Sequence, residues 1–309
     1  MSILIVGVDG GGSKTKVIVA DEHGRELATA TGPGSAVKPG EASHSADVIA
    51  QVVREALAAC DRDGETPSVL CAGLAGAGRE GERMAVREAL VRLEVADLVM
   101  VEPDAQIALE DAFADGPGIL IVSGTGSSCF GRSPSGACAR GGGWGPNIGD
   151  EGSGAWIGKK ALSVVTAAVD GREPDTTLLP AILTALELED SDGLIPWAAH
   201  ATPAALARLA STVITVAATG DQRANTILAM AAEELVTHVR ALARQLFVDE
   251  RASIPVALAG GLMERGSFLR KLVEHRLKSA VPGATVRAEP VVPARGAVRM
   301  AATKAMQRT

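Results

Sequence analysis

Aromatic residues and metal-binding patterns are scarce in this sequence. Phenylalanine, tryptophan and tyrosine make up 2% of its 309 residues, and tyrosine is absent. The four cysteines form no C-x-x-C pair, and no histidine lies at ligand spacing from any of them. Reduced thiols packed in a core are therefore expected, rather than zinc, a cluster or disulfides. With so few aromatic residues, a tryptophan in a loop is conspicuous.

A basic excess and a long apolar run are also missing. The formal net charge of −7 argues against nucleic acid or an anionic membrane as the main partner. No apolar run approaches the roughly 20 residues that cross a bilayer. Because Met1 opens no signal-peptide pattern, a cytoplasmic location is expected. Hydrophobic residues make up 47% of the chain, enough for a sizeable core, and the length allows two domains.

A glycine-rich stretch near the start of the chain is the first candidate for function. Its sequence is Val6-Gly-Val-Asp-Gly-Gly-Gly-Ser-Lys-Thr15, between strand-like runs at 3–8 and 16–21. The tip of such a hairpin exposes backbone N–H groups that suit phosphate oxygens. A carboxylate beside phosphates needs a divalent cation between them, so Asp9 predicts a nucleotide with Mg²⁺. The stretch is neither a Walker A loop nor a dinucleotide fingerprint, and a tight hairpin without ligand is an equal alternative.

Strands alternate with helices in the next part of the chain. Further strands are predicted at 25–31, 67–71 and 96–101, with helices between them, the first capped by Ser43 or Ser45. This pattern predicts an α/β domain with a partly parallel sheet. Asp104 would lie at its carboxyl edge with Asp9 and Gly73. There it suits a general base that accepts an alcohol proton, or the N-cap of the next helix.

The pattern starts again after Asp115. An apolar run at 119–123, a glycine turn at 124–128 and a return strand repeat the first hairpin, which indicates a weak internal duplication. Residues 1–115 and 116–293 are therefore expected to form two domains, with the terminal helix 294–309 packing back on the first. Two such tips would grip a phosphate tail from both sides and leave the substrate in a cleft between the domains.

A second glycine loop, residues 141–153, carries Trp144, Asp150 and Glu151 where no core requires them. An indole and paired carboxylates suit the face and the hydroxyls of a sugar, although Asp150 and Ser153 would also cap a helix. This loop therefore favours sugar binding, with a purely structural role as the alternative.

Two further features have a structural explanation as well. Gly260-Gly261 after a strand would let a nucleoside lie against the backbone, or would merely turn the chain. Cys129 follows the second turn but lacks a neighbouring base, so core packing is favoured over a nucleophile.

Taken in order, these motifs resemble those of the sugar-kinase, heat-shock-cognate and actin superfamily. Within it, the chain resembles the N-acetylglucosamine kinase group of the BadF/BadG/BcrA/BcrD ATPase family. Residues 6–15 resemble its first phosphate motif, 121–129 the second, 257–262 the adenosine motif, and 142–145 with 149–152 the sugar loop. The resemblance spans nearly the whole chain. It implies an α/β, two-domain actin-like ATPase fold (ribonuclease H-like) with an inter-domain cleft.

The resemblance also implies roles for individual residues. Asp104 would be the catalytic base, and Asp9 would hold Mg²⁺ through water. ATP would be bound through its phosphates and adenosine by Gly11, Gly12, Ser13, Thr15, Thr125, Gly126, Gly260 and Gly261. The sugar pocket would be lined by Ser128, Cys129, Trp144, Gly145, Asp150 and Glu151. Ser35 stands where the family usually offers an asparagine to the sugar, which leaves the exact hexosamine open.

The resulting prediction is an ATP- and Mg²⁺-dependent kinase that converts N-acetylglucosamine to its 6-phosphate. Glucosamine or N-acetylmuramic acid are alternative acceptors. A homodimer is expected, with neither nucleic acid nor membrane as partner. A non-catalytic ATP switch would not need the loop with Trp144, and a sugar sensor would not need Asp9 and Asp104 together. The dehydratase activators of the family bind an iron–sulfur cluster through cysteines, for which the sequence has no suitable pair.

Overall fold

The computed structural model describes residues 3–247 and 253–307, which form two compact units. Unit 1 contains residues up to 115 together with those from 291 onward, and unit 2 contains the described residues from 116 to 290. The terminal segment therefore belongs with the N-terminal residues.

Strands and helices alternate through most of the described chain. The strands are β1 (Ile5–Gly10), β2 (Lys14–Ala20), β3 (Glu26–Pro33), β4 (Val69–Leu74), β5 (Leu98–Pro103), β6 (Gly118–Ser123), β7 (Ser127–Arg132), β8 (Cys138–Gly142), β9 (Ile254–Ala259) and β10 (Ala284–Val286). The helices are α1 (Ala42–Ala58), α2 (Glu80–Arg92), α3 (Asp104–Phe113), α4 (Gly154–Val169), α5 (Leu178–Ala185), α6 (Leu194–His200), α7 (Pro203–Ala218), α8 (Gln222–Leu246), α9 (Phe268–Ala280) and α10 (Pro293–Met306).

The sheet of unit 1 has the order β3-β2-β1-β4-β5. The hairpin strands β1, β2 and β3 are antiparallel, whereas β4 and β5 run parallel to β1 because helices connect them. Alternate residues of β1 face opposite sides. Val6 and Val8 pack with α1 and α2, while Ile5 packs with α10. Helices thus cover both faces of the sheet but not the ends of its strands.

Helix α10 packs closely on unit 1 because glycines remove side chains at two contacts. A Cβ on Gly7 of β1 would lie 2.6 Å from the backbone nitrogen of Val298, and one on Gly296 would strike the Ile107 carbonyl of α3. The carboxylate of Asp111 accepts a hydrogen bond from the Val292 amide at 2.7 Å, just before the helix begins. The end of the chain is therefore fixed to α3.

Unit 2 repeats the same arrangement, in the order β8-β7-β6-β9-β10. Its first three strands are antiparallel, and β9 runs parallel to both β6 and β10. This shared topology confirms the internal duplication. The difference lies in the connection from β8 to β9, where helices α4 to α8 form most of the core of unit 2.

Some local predictions need correction. Helix α1 has Glu41 as its N-cap, without a side-chain bond, so the predicted cap by Ser43 or Ser45 is wrong. Ser45 is buried inside the helix, where its hydroxyl donates to the Ala36 carbonyl at 3.3 Å. Ser153 is the cap of α4 and accepts from the Trp156 amide at 3.1 Å.

The thiols divide by burial. Cys71 and Cys129 are buried, Cys60 is half-buried and Cys138 is exposed, so the core prediction fails for Cys138. Among the described residues, no helix has the length and apolar character needed to cross a bilayer.

Candidate functional site

The parallel strands of unit 1 bring the predicted acidic residues to one edge of the sheet. Asp9 of β1 pairs with Gly73 of β4, and Gly73 pairs with Glu102 of β5. Asp104 follows as the first residue of α3. A side chain on Gly73 would collide with that of Ile107, so glycine lets α3 lie close to β4. The register confirms that Asp9, Gly73 and Asp104 lie at the same edge.

Asp104 does not serve as the helix cap. The N-cap of α3 is Pro103, and Asp104 is already helical. Its Oδ1 accepts a hydrogen bond from the Ala105 amide at 2.8 Å, which favours the ionised form. The residue is exposed, so its other oxygen is free to meet a ligand. Desolvation of the carboxyl by the surrounding protein nevertheless raises the pKa of Asp104 above its ordinary value, against the opposing effect of the Ala105 amide.

Asp9 and Asp104 interact electrostatically. Burial, and after it the charge of Asp104, together raise the pKa of Asp9 to about 6, while Lys14 and Lys16 oppose the shift. A divalent cation would relieve the repulsion that the charge of Asp104 exerts on the ionised form of Asp9. In the described part of the chain, no group of three or more acidic, histidine or cysteine side chains could hold a metal. A Mg²⁺ ion would fit here only with phosphate oxygens and water as its remaining ligands.

Asp9→Asn should stabilise unit 1 in metal-free buffer at neutral pH. The pKa of the Asp9 carboxyl rises on folding from 3.8 to about 6, so its ionisation lowers the free energy of unfolding as the pH rises through that window. The gain should reach at most about 3 kcal/mol above pH 6 and vanish near pH 4. Urea unfolding with a chelator at both pH values measures it. Asp97→Asn, at an exposed position before β5, is the control. Equal gains at both pH values would contradict this explanation.

The first tip, residues 11–13, is an accessible turn fixed by backbone hydrogen bonds and by its contact with Gly34. The Gly11 amide donates to the Lys14 carbonyl at 2.9 Å, and the Ala36 amide donates to the Gly11 carbonyl at 3.1 Å. A Cβ on Gly34 would lie 2.6 Å from the carbonyl carbon of Gly12. Gly12 and Ser13 themselves are exposed. The tip is therefore fixed, with its outer side open to a ligand.

Two predicted ligand residues near this tip point inward. The Thr15 hydroxyl donates to the Pro33 carbonyl at 2.6 Å and lies 2.7 Å from Ser35 Oγ. Thr15 is fully buried and Ser35 is 1% exposed, because Gly10 leaves room for the serine hydroxyl. Both hydroxyls thus fasten β2 to the segment after β3. Phosphate binding by Thr15 and sugar binding by Ser35 stay predictions.

The second tip, residues 124–126, is joined to the start of α4. The Gly124 carbonyl accepts from the Gly154 amide at 2.8 Å, and the Thr125 carbonyl accepts from the Ala155 amide at 3.2 Å. These amides at the helix start have no partner within the helix, so the tip satisfies them. Thr125 is exposed. The tip is rigid and its hydroxyl is available.

The loop at 141–153 packs against this tip. Asp150 Oδ1 accepts from the Gly145 amide at 3.0 Å, and a Cβ on Gly126 would lie 2.6 Å from Oδ2. Asp150 has a left-handed backbone with φ of 57°, a strained conformation for a non-glycine residue. Burial raises its pKa. The strain is maintained by hydrogen bonds from two serines, since Ser127 donates to the Glu151 carbonyl and Ser123 to the Gly152 carbonyl.

The remaining predicted residues of unit 2 divide between surface and core. Trp144 is 66% exposed, with the Arg140 guanidinium 5.2 Å from its ring centre. Ser128 is half-buried, whereas Cys129 is buried with β6 and α4 residues, which favours core packing. Gly260, with φ of +93°, lies against the Ser123 carbonyl, and Gly261 comes near Gly124. The glycine pair after β9 is therefore a neighbour of the second tip.

Several residues of this arrangement were missed in the sequence. Ser123 and Ser127 belong to the second motif, but nothing local shows that their hydroxyls hold the loop 24 to 29 residues later. His238 of α8 lies beside Glu151, with 3.5 Å between Nε2 and Oε2. A lone histidine in an amphipathic helix gives no signal of such a contact.

Comparisons with known proteins agree with this arrangement. A model of the BadF/BadG/BcrA/BcrD ATPase family matches residues 6–301. An N-acetyl-D-glucosamine kinase of Dictyostelium discoideum is 29% identical over 96% of this chain and 97% of its own. An N-acetylmuramic acid/N-acetylglucosamine kinase of Clostridium acetobutylicum is 32% identical over 86% and 87%. A crystal structure of a provisionally named N-acetylglucosamine kinase from Chromobacterium violaceum has a TM-score of 0.81 at 30% identity, covering 96% and 98%. The predicted two-domain α/β fold class is confirmed.

Proposed function

The chain belongs to the BadF/BadG/BcrA/BcrD ATPase family, and we propose that it transfers the γ-phosphoryl group of ATP to the 6-hydroxyl of N-acetylglucosamine. It is an ATP-dependent sugar kinase, in keeping with relatives that carry kinase names along nearly their full length. The observation that carries the proposal is that Asp9 and Asp104 lie at the same edge of the sheet, beside an exposed glycine tip.

Asp104 acts as the general base in this proposal. Its carboxylate accepts the proton of the sugar hydroxyl as that oxygen attacks the γ-phosphorus in line. A raised pKa makes the carboxylate a better acceptor, and the Ala105 amide fixes its direction. Asp9 would hold Mg²⁺, which when bound would neutralise charge on the phosphates. Catalysis then rests mainly on positioning and charge.

The sugar is bound by the loop at 141–153 in this proposal. Glu151 and Asp150 offer carboxylate oxygens to hydroxyls, and Trp144 offers an apolar face. The two tips and the glycine pair after β9 bind ATP through backbone N–H groups.

The names of relatives and the residue at position 35 bear on the choice of acceptor. Relatives are named for N-acetylglucosamine, and one of them also for N-acetylmuramic acid. Ser35 has no side-chain amide, and its hydroxyl is buried against Thr15. N-acetylmuramic acid and glucosamine are the alternatives. A cytoplasmic location and a homodimer stay predictions.

ADP release measured with a panel of sugars tests this function. N-acetylglucosamine should stimulate release most, and addition of a chelator should stop it. Preference for N-acetylmuramic acid or glucosamine would move the assignment to that acceptor. Release that is independent of any sugar would instead favour an ATP switch and overturn the kinase proposal.

A further inference from the structure

His238 and Glu151 form a contact that the proposed chemistry does not use. His238 lies on α8 and is half-buried, and its Nε2 is 3.5 Å from Glu151 Oε2. Both atoms are shielded from solvent, and neither has a hydrogen-bond partner among the described residues. Leaving a buried polar atom unpaired costs about 1–3 kcal/mol. The two atoms are chemically suited to satisfy each other, since an imidazole N–H donates and a carboxylate oxygen accepts.

The space for this contact is made by a glycine. Gly142 ends β8 with φ of +69°, and a Cβ there would lie 3.0 Å from His238 Nε2 and 3.1 Å from Cε1. The imidazole thus lies directly against the start of the glycine loop, where any side chain would displace it. Three separate elements, β8, α8 and the loop, meet at this point.

The main chain of Glu151 is already fixed on its other side. Its carbonyl accepts the Ser127 hydroxyl at 2.7 Å, so the backbone cannot move freely while β7 is in place. The orientation of the Glu151 carboxylate is not fixed by this backbone contact. Oε2 faces His238, and Oε1 has no protein partner in the part of the chain that the structure describes.

We propose that His238 is a positioning residue that holds Glu151 Oε2 through an Nε2–H donor and so presents Oε1 to a hydroxyl or amide N–H of the sugar. This inference rests on the proposed kinase function. A carboxylate held in advance loses less conformational freedom when the sugar binds, so the contact strengthens sugar affinity. It leaves the phosphoryl-transfer step itself unchanged, because neither residue belongs to the pair Asp9 and Asp104.

Steady-state kinetics of His238→Leu test the inference, since leucine keeps an apolar bulk and removes Nε2. The KM for the sugar should rise about tenfold or more, with kcat within about threefold and the KM for ATP unchanged. His238→Gln places an amide N–H at a similar reach and should restore most of the sugar affinity. His275→Leu, at an exposed position on α9, is the matched control and should change nothing.

A double variant separates positioning from packing. If His238 acts through Glu151, adding His238→Leu to Glu151→Ala should cause no further loss of sugar affinity, as measured by calorimetry. Thermal unfolding shows whether α8 packing is intact. Three results would overturn the inference alone. They are an unchanged sugar KM in a folded His238→Leu variant, a fall in kcat as large as the rise in KM, and a His238→Gln variant that does not recover sugar affinity. A wild type without sugar-dependent turnover overturns the proposed function, and the inference with it.

Discussion

Replacing Asp104 with asparagine should abolish sugar-dependent ADP release while ATP still binds. Removing a general base typically lowers the rate by about 10²–10⁴-fold. Asparagine keeps an oxygen that accepts the Ala105 amide, so the start of α3 should be preserved. What it loses is the ability to take a proton from the acceptor hydroxyl. Turnover is followed by coupled ADP release, and ATP binding by calorimetry.

The same substitution has an independent electrostatic readout. The charge of Asp104 contributes to the raised pKa of Asp9, so its removal should lower the pKa of Asp9 from about 6. Titration of the Asp9 carboxyl by NMR measures this shift. An unchanged pKa would show that the two carboxylates do not share a site in solution.

Glu102→Gln is the matched control for Asp104→Asn. Glu102 is half-buried in β5, two residues earlier, and burial raises its pKa as well. It differs in having no role in the proposed proton transfer, so its variant should turn over normally. If Glu102→Gln lowers turnover as much as Asp104→Asn does, the loss reflects the removal of negative charge from this edge of the sheet and not the removal of a general base. If Asp104→Asn turns over undiminished, Asp104 is not the base.

Much of the fold follows from short-range patterns in the sequence. Apolar runs bounded by glycine predict β1, β2, β6 and β7 because a buried strand and a tight turn each leave a local signature. The parallel strands then place Asp9, Gly73 and Asp104 at one edge without further information, since carboxyl ends of parallel strands coincide. The repeated hairpin similarly predicts a duplicated supersecondary unit, whereas the equal strand order of the two sheets is known only from the structure.

The contacts that sequence reasoning missed join residues far apart in the chain. Ser35 becomes an internal partner of Thr15 because Gly10 and the β3 register leave a space for it, which no local pattern records. His238 reaches Glu151 only because α8 crosses beside β8. Asp104 was placed correctly at the edge of the sheet, and the alternative role as an N-cap is excluded because Pro103 takes that position. Strand ends are predictable, whereas side-chain direction depends on packing.

Alanine substitutions at the neighbouring residues Gly34 and Gly12 should have different effects, the first on stability and the second on ATP binding. A Cβ on Gly34 would lie 2.6 Å from the carbonyl carbon and near the carbonyl oxygen of Gly12, whereas one on Gly12 would meet nothing within 4 Å. Because backbone cannot give way cheaply, Gly34→Ala should lower the free energy of unfolding by about 1–3 kcal/mol, as overpacking does.

Gly12→Ala should leave stability within about 0.5 kcal/mol, as for an exposed site. It should nevertheless raise the KM for ATP, because a methyl group on the outer side of the tip keeps phosphates away from the backbone N–H groups. Urea unfolding and ATP kinetics of both variants measure the contrast. A normal ATP KM in Gly12→Ala would mean that the first tip is a turn and nothing more. Unchanged stability in Gly34→Ala would mean that the segment after β3 moves independently of the tip, and Ser35 would then be free to leave Thr15 and reach the sugar.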